Sequence, residues 1–418
     1  MNAISYVIGF GILQAFLLAG LLVLVPRTPR LPNFFMAGLV LAISGRLLHG
    51  WLTVSGNLAA PPAWTLPIGS LTFTWGPLLY LYAYTMTRQH VSWVHSLHFL
   101  PWLAILLLIF PFYHLSPEQQ QLAADYLWYG RDDATLERQF QQIANPFYGY
   151  WIEYRFNAIA FVLQFSLYCV LVLQRIRQHN KFLQSHFSSL EQMNLRWLRI
   201  LTGACLVYIF LLLLLNRLPQ MLFGGEGFSQ GGPYIFLVLI IYMIVVAALF
   251  QPSIIRGVMA ASEYGHTELP TPTPASEEEE EKQKEAEPMS PAKYTRSGIA
   301  LEDAQRYKLQ LMDVTRRKQL FLDSELTLPE LATAAGITPH QVSQVLNGQL
   351  GQNFFTFINN YRIKYAKELM ADTAYDHLAI VDLAFEVGFK SKSSFYKAFK
   401  KATNVTPAQY RKTLRSAA

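Results

Sequence analysis

Apolar residues run almost without a break through seven stretches of the chain: Ile4–Val25, Asn33–Val54, Leu66–Tyr84, Leu97–Leu115, Tyr148–Leu173, Trp197–Leu215 and Tyr234–Phe250. A helix needs about 20 residues to cross a hydrocarbon core of ~30 Å. Only helices and closed barrels satisfy their own backbone in lipid, and continuous runs of this length exclude barrel strands. The pattern predicts seven transmembrane helices. The first run lacks a basic leader and is too long for a cleaved signal peptide. After Phe250 the pattern changes. "LPTPTPASEEEEEKQKEAEP", from Leu269, alternates proline and then repeats glutamate, which predicts a disordered, extended tether. Beyond it, helical periodicity returns.

That last region contains a duplication. "LATAAGITPHQVSQVL" begins at Leu331 and "LAFEVGFKSKSSFYKAF" at Leu383. In each, Leu-Ala is followed at the same offset by a glycine, Gly336 or Gly388, then by an apolar residue, with the hydroxyl residue next in the first copy and one residue later, at Ser391, in the second. Glycine suits the left-handed position that ends a helix, and Thr338 or Ser391 suits the N-cap of the next. Pro339 falls where a missing N–H costs nothing. The reading is helix, tight turn, helix, twice, over about 328–347 and about 380–401. Val342, Val345 and Leu346 in the first copy, and Phe395, Ala398 and Phe399 in the second, recur at helical spacing and predict the buried faces. The opposite face of the first second-helix carries His340, Gln341, Ser343 and Gln344. That of the other carries Lys392, Ser393, Tyr396 and Lys397. Amides, hydroxyls and cations are the groups that bond base edges in a major groove, while Lys390, Lys400 and Lys401 are placed for phosphates. Two such units joined by "NFFTFINNYRIKYAKELMAD" can enter successive grooves.

Charge sharpens the division. Met1–Ser262 carries a net +6, Glu263–Ser290 a net −7, and Pro291–Ala418 a net +7. The chain therefore divides into a membrane domain over 1–256, an acidic Pro-rich linker over 257–298 and a basic domain over 299–418. The fold class expected is all-α: a seven-helix transmembrane bundle followed by a cytoplasmic double helix-turn-helix. Arg27, Arg30, Arg88, Arg175, Arg177, Lys181, Arg196, Arg199 and Arg256 flank one side of the spans, against Arg131, Arg138 and Arg217 on the other. The positive-inside rule then places the N-terminus outside and the basic domain in the cytoplasm. Cys169 and Cys205 both fall inside apolar runs, so no disulfide scaffold is expected.

Thr327 to Lys412 resembles the DNA-binding domain of the AraC/XylS family. The stretches that carry the resemblance are "RIKYAKELM", "IVDLAFEVGFKSKSSFYKAFKK" and "VTPAQYRK", in that family's order and spacing. Asn404 stands where the family commonly has glycine, and asparagine tolerates the same backbone. By position in the motif, the resemblance implies base reading by His340, Ser343 and Gln344, and by Lys392, Ser393, Tyr396 and Lys397. It implies double-stranded promoter DNA as the partner, with RNA polymerase added for an activator and a homodimer left open. "GPLLYLYAYTMT" and "HFLPW" resemble a bacterial subgroup in which such a domain follows several spans. This implies a multi-pass protein of the bacterial inner membrane.

Ionisable residues inside spans are expensive and count as functional by default. Arg46 and His49 share a face of the second run. Glu153, Arg155 and Asn157 begin the fifth, and Asn216 and Arg217 end the sixth, all at outer depth. Together they are expected to line a sensor pocket for a small-molecule, lipid or protein signal. Arg46 paired structurally with Glu153 is the plainer alternative. The histidines show no metal-ligand spacing, and no nucleotide or nucleophile motif occurs, so neither enzyme, metal nor cofactor is expected. A transporter or receptor with a regulatory DNA-binding domain, and a regulator released by proteolysis, remain as alternatives.

Overall fold

The computed structural model describes residues 3–24, 30–54, 65–87, 91–110, 114–120, 154–190, 195–212, 232–249 and 301–417, with a few isolated positions between 122 and 139. Among these the chain is helical. It divides into one unit formed by Met1–Arg177 and Leu195–Val258, and another formed by Gln178–Asn194 and Met259–Ala418. The expected linker over 257–298 lies outside the described residues.

In the first unit, α1 (Ala3–Leu24) packs along α2 (Arg30–Val54) and against α8 (Gly232–Leu249). α1 is apolar on every side: Ile8 and Ala15 are fully buried, yet Tyr6, Phe10, Leu13, Phe16 and Leu17 are exposed. A helix that is hydrophobic all round has no face intended for water. Ile4–Leu24, Arg30–Leu52 and Ile159–His186 are the three helices among the described residues that are long and apolar enough to cross a membrane.

The third apolar run is not the single helix expected. It is broken into α3 (Thr65–Ser70), a 3₁₀ turn over Leu71–Thr74 and α4 (Trp75–Thr87). The cause is local. Ser70 Oγ donates to Pro67 O at 2.7 Å, Thr72 Oγ1 to Gly69 O at 3.1 Å and Thr74 Oγ1 to Leu71 O at 2.7 Å. Three hydroxyls bonding back to the i−3 carbonyl compete with the α ladder and tighten the chain. The fourth run is likewise a 3₁₀ stretch, Trp93–Phe99, leading into α5 (Leu100–Ile109). α6 (Tyr154–His186) and α7 (Arg196–Leu212) carry the two cysteines, both buried and unpaired.

The second unit begins with α9 (Leu301–Arg317), which places Glu302 and Asp303 in its first turn and Arg316 and Arg317 in its last, matching the helix dipole. α10 (Leu328–Ala335), α11 (Pro339–Gln349), α12 (Phe354–Ala371), α13 (Ile380–Glu386), α14 (Lys392–Thr403) and α15 (Pro407–Ala417) follow. Two hydrophobic cores form. α12 supplies Phe354, Phe357 and Ile358 to the first, around α10 and α11, and Ile363, Ala366 and Met370 to the second, around α13 and α14. One continuous helix therefore belongs to both halves.

Candidate nucleic-acid interface

Each half is a helix, a tight turn and a second helix, and local capping chemistry accounts for most of the boundaries. Thr327 caps α10 and Thr338 caps α11, each in a reciprocal box with the residue three positions on, Glu330 or Gln341. Gly336 ends α10 at φ 67° and ψ 30°. In the second copy Ser391 caps α14 by accepting from Ser394 N, and Gly388 takes φ 88°. Asn404 ends α14 in the left-handed region at φ 62°.

The buried sides of α11 and α14 are Val342, Val345 and Leu346, and Phe395 and Phe399, as their spacing predicts; Ala398 is half-buried. On α11, His340 is exposed, and Ser343 and Gln344 are partly so. Gln341 leaves this set. Its side-chain oxygen accepts from Thr338 N and Oγ1, and its amide nitrogen donates to Tyr307 Oη of α9 at 3.4 Å. Asn347 joins the set instead. It is exposed, lies one turn beyond Ser343 and donates to Ser343 Oγ at 3.3 Å. Its position seven residues after His340 was the available signal.

On α14, Lys392, Ser393 and Lys397 are exposed and Tyr396 is partly so. Lys392 Nζ sits 5.5 Å from the Tyr396 ring centre, so cation and aromatic form one surface feature. Lys400 and Lys401 project from the last turn and are exposed. Lys390 has another partner: its ammonium donates to Glu325 Oε1 at 2.6 Å. That hydrogen bond, with the charge of Lys390, holds the Glu325 carboxyl below its ordinary value. The pair is intact at neutral pH and is lost as pH falls through the lowered value. It ties the turn of the second copy to the chain just before α10.

The first unit brings part of the expected pocket together. Arg46 Nη1 donates to Tyr234 Oη at 2.9 Å and lies 3.4 Å from His49 Nδ1, with its guanidinium 4.9 Å from the Tyr234 ring centre. His49 is buried. A side chain at Gly50 would collide with the Tyr234 ring, so the glycine permits this approach. Tyr234 was not singled out in the sequence, because its partner lies 188 residues away. Glu153, Asn216 and Arg217 lie outside the described residues. Arg155 and Asn157 fall on the first turn of α6, and their side chains are likewise outside.

Residues 331–413 match the helix-turn-helix domain family. The chain is 33% identical over 94 residues to the uncharacterized HTH-type transcriptional regulator YtdP of Bacillus subtilis, covering 22% of this chain and 12% of that protein. It is 37% identical over 93 residues to an uncharacterized HTH-type transcriptional regulator of Staphylococcus aureus strain COL, again covering 22% of this chain and 12% of the other. The chain thus spans only about one eighth of the length of these curated relatives. Among solved structures, it is similar to the C-terminal domain of AraT, a response regulator from Geobacillus stearothermophilus. That match has 30% identity and a TM-score of 0.22, and covers 28% of this chain and 88% of the other.

Proposed function

We propose that this chain is a membrane-anchored transcription regulator that reads a specific promoter sequence through two helix-turn-helix units and couples that reading to a signal met by its N-terminal unit. The observation that carries the DNA-binding reading is the pair of capped second helices, α11 and α14. Each buries one apolar face and leaves amides, hydroxyls and lysines outward, within one basic region. The names of the relatives, HTH-type transcriptional regulators, agree with it.

His340, Ser343, Gln344, Asn347, Lys392, Ser393, Tyr396 and Lys397 are the groups assigned to base edges, and Lys400 and Lys401 to phosphates. Lys397→Ala is expected to weaken binding to a selected site by about 1–3 kcal/mol and to relax base preference. Lys400→Ala is expected to weaken all sequences alike and to reduce the slope of affinity against salt. Binding titrations at several salt concentrations, on the selected site and on a scrambled one, separate the two behaviours. An unchanged sequence preference in Lys397→Ala would remove α14 from the reading surface.

Anchoring in the bilayer is supported by three helices of spanning length and by large apolar side chains left outward on α1, α2, α6, α7 and α8. The run lengths and the distribution of arginine support seven crossings with the N-terminus outside, and the resemblance of the spans supports a bacterial inner membrane. A cytoplasm-dependent reporter joined after Arg256 is expected to be active, and one inserted within 125–139 silent. The reverse pattern would exclude DNA binding by the C-terminal unit. For the signal, Arg46, His49 and Tyr234 are the assembled polar group, and a cation bonded to a phenol inside an apolar bundle is suited to an anionic or hydrogen-bonding ligand.

A further inference from the structure

The second unit contains chain from outside the double helix-turn-helix. Residues 178–194, between the fifth and sixth apolar runs, belong to it, and α6 carries the chain into it from Gln178 to His186. The contacts of this segment are specific. Phe187 forms an isolated antiparallel bridge with Thr327, and Ser188 N donates to Leu326 O at 3.2 Å. Asn353 Nδ2 donates to Gln184 Oε1 at 3.2 Å. Thr327 caps α10 and Asn353 caps α12, so the segment touches the entry to the first helix-turn-helix and the start of the helix shared by both cores. Leu183, Phe187 and Ser188 are buried there.

Ser188 also completes a junction between the two copies. Arg362 of α12 is almost wholly buried. It donates to Phe321 O and Asp323 O, both at 2.7 Å, from the turn before α10. Its guanidinium carbon lies 5.6 Å from the ring centre of Phe389, in the turn of the second copy. Its two terminal nitrogens reach Ser188 O at 3.1 Å and Ser188 Oγ at 3.2 Å. The turn that leads into the first copy, the turn of the second copy and the foreign segment thus meet on one cation. Buried donors need acceptors, so withdrawing Ser188 disturbs the group that holds the turn before α10 against the turn of the second copy.

We propose that residues 183–188 act as an internal partner of the double helix-turn-helix, setting the relative placement of α11 and α14, so that movement of the end of α6 switches two-groove binding on or off. The inference rests on the DNA-binding reading above. Its physical basis is geometric. Two recognition helices in one chain can occupy successive major grooves only at the matching separation, and a switch requires contacts that differ between two states. α6 is the covalent link by which a change elsewhere in the chain reaches Ser188.

The test uses the full chain in lipid nanodiscs, a duplex selected by that chain from a random pool, and the same duplex with one half scrambled. Ser188→Ala removes one acceptor. Ser188→Pro also removes the N–H that bonds Leu326. Both are expected to weaken the complete duplex, Ser188→Pro by roughly 5- to 100-fold, while binding to the half-scrambled duplex stays unchanged. Joining Gln184→Cys to Asn353→Cys with a short bis-maleimide is expected to proceed in the wild-type background and to restore complete-duplex binding to Ser188→Pro. Wild-type binding by both Ser188 variants would overturn the proposal. So would equal weakening on both duplexes, which marks a merely stabilising contact, or tighter binding, which marks a restraint. If the wild type selects no duplex, the DNA-binding reading fails instead. The crosslink then decides the docking alone, and a yield no higher than in urea would overturn it.

Discussion

Arg362→Leu is expected to be the most damaging single substitution in the second unit. Phe321 O and Ser188 O would lose their donor in the interior, and Asp323 O would keep only the bond from Leu326 N at 3.4 Å. Each buried acceptor left unmatched costs about 1–3 kcal/mol, against the ~5–15 kcal/mol by which a whole domain is stable. Burial lowers the Arg362 pKa to about 10, with Asp323 acting in the opposite direction. The group is therefore charged at neutral pH, and its hydrogen bonds are charge-assisted. Hydrogen exchange on the full-length variant is expected to show lost protection in the turn before α10 and around Gly388, including amides distant in sequence from residue 362. Arg362→Lys is expected to rescue poorly, because an ammonium cannot span five acceptors as a planar guanidinium does. Wild-type protection in Arg362→Leu would show that the apolar cores hold the two copies without it.

Gly388→Ala is the second large effect, and its contrast with Gly336→Ala makes it diagnostic. The two glycines hold equivalent positions in the duplicated turn, and both have positive φ. A Cβ at Gly336 would meet only Gln310 Nε2, at 3.9 Å, so the cost there is the ordinary left-handed penalty of roughly 1–2 kcal/mol. A Cβ at Gly388 would lie 2.6 Å from Phe321 O and 2.7 Å from Leu322 O. Both are backbone atoms of the turn that Arg362 holds, so neither can swing aside. The penalty is expected to exceed about 2 kcal/mol and to push the copies apart. Thermal unfolding should rank Gly388→Ala well below Gly336→Ala. DNA binding should fall further in Gly388→Ala than its stability loss explains. Equal effects from the two variants would mean that the second turn is not pressed against the first half.

Both results concern the rigidity with which α11 and α14 are presented. The sequence treats the two copies as beads on a helical connector. In the folded unit they share α12, an ion pair between Lys390 and Glu325, and the carbonyl cluster around Arg362. In the proposed function, reading two grooves at once depends on those ties as much as on the outward side chains.

What the sequence determined by itself was whatever neighbours a few residues apart decide. Thr327, Thr338 and Ser391 are caps because a side-chain oxygen meets an N–H within three residues. Gly336, Gly388 and Asn404 end turns because their own φ must be positive. The inward faces of α11 and α14 follow from helical period alone. The tertiary structure decided the rest. Gln341 left the outward face of α11 for Tyr307, and Lys390 turned to Glu325, 65 residues away. Arg362, legible only as one basic residue in a helical motif, became the buried meeting point of chain separated by 41 and 174 residues. A periodic pattern records which face of an element is buried, but not what is buried against it. That depends on packing between segments whose separation carries no sequence signal.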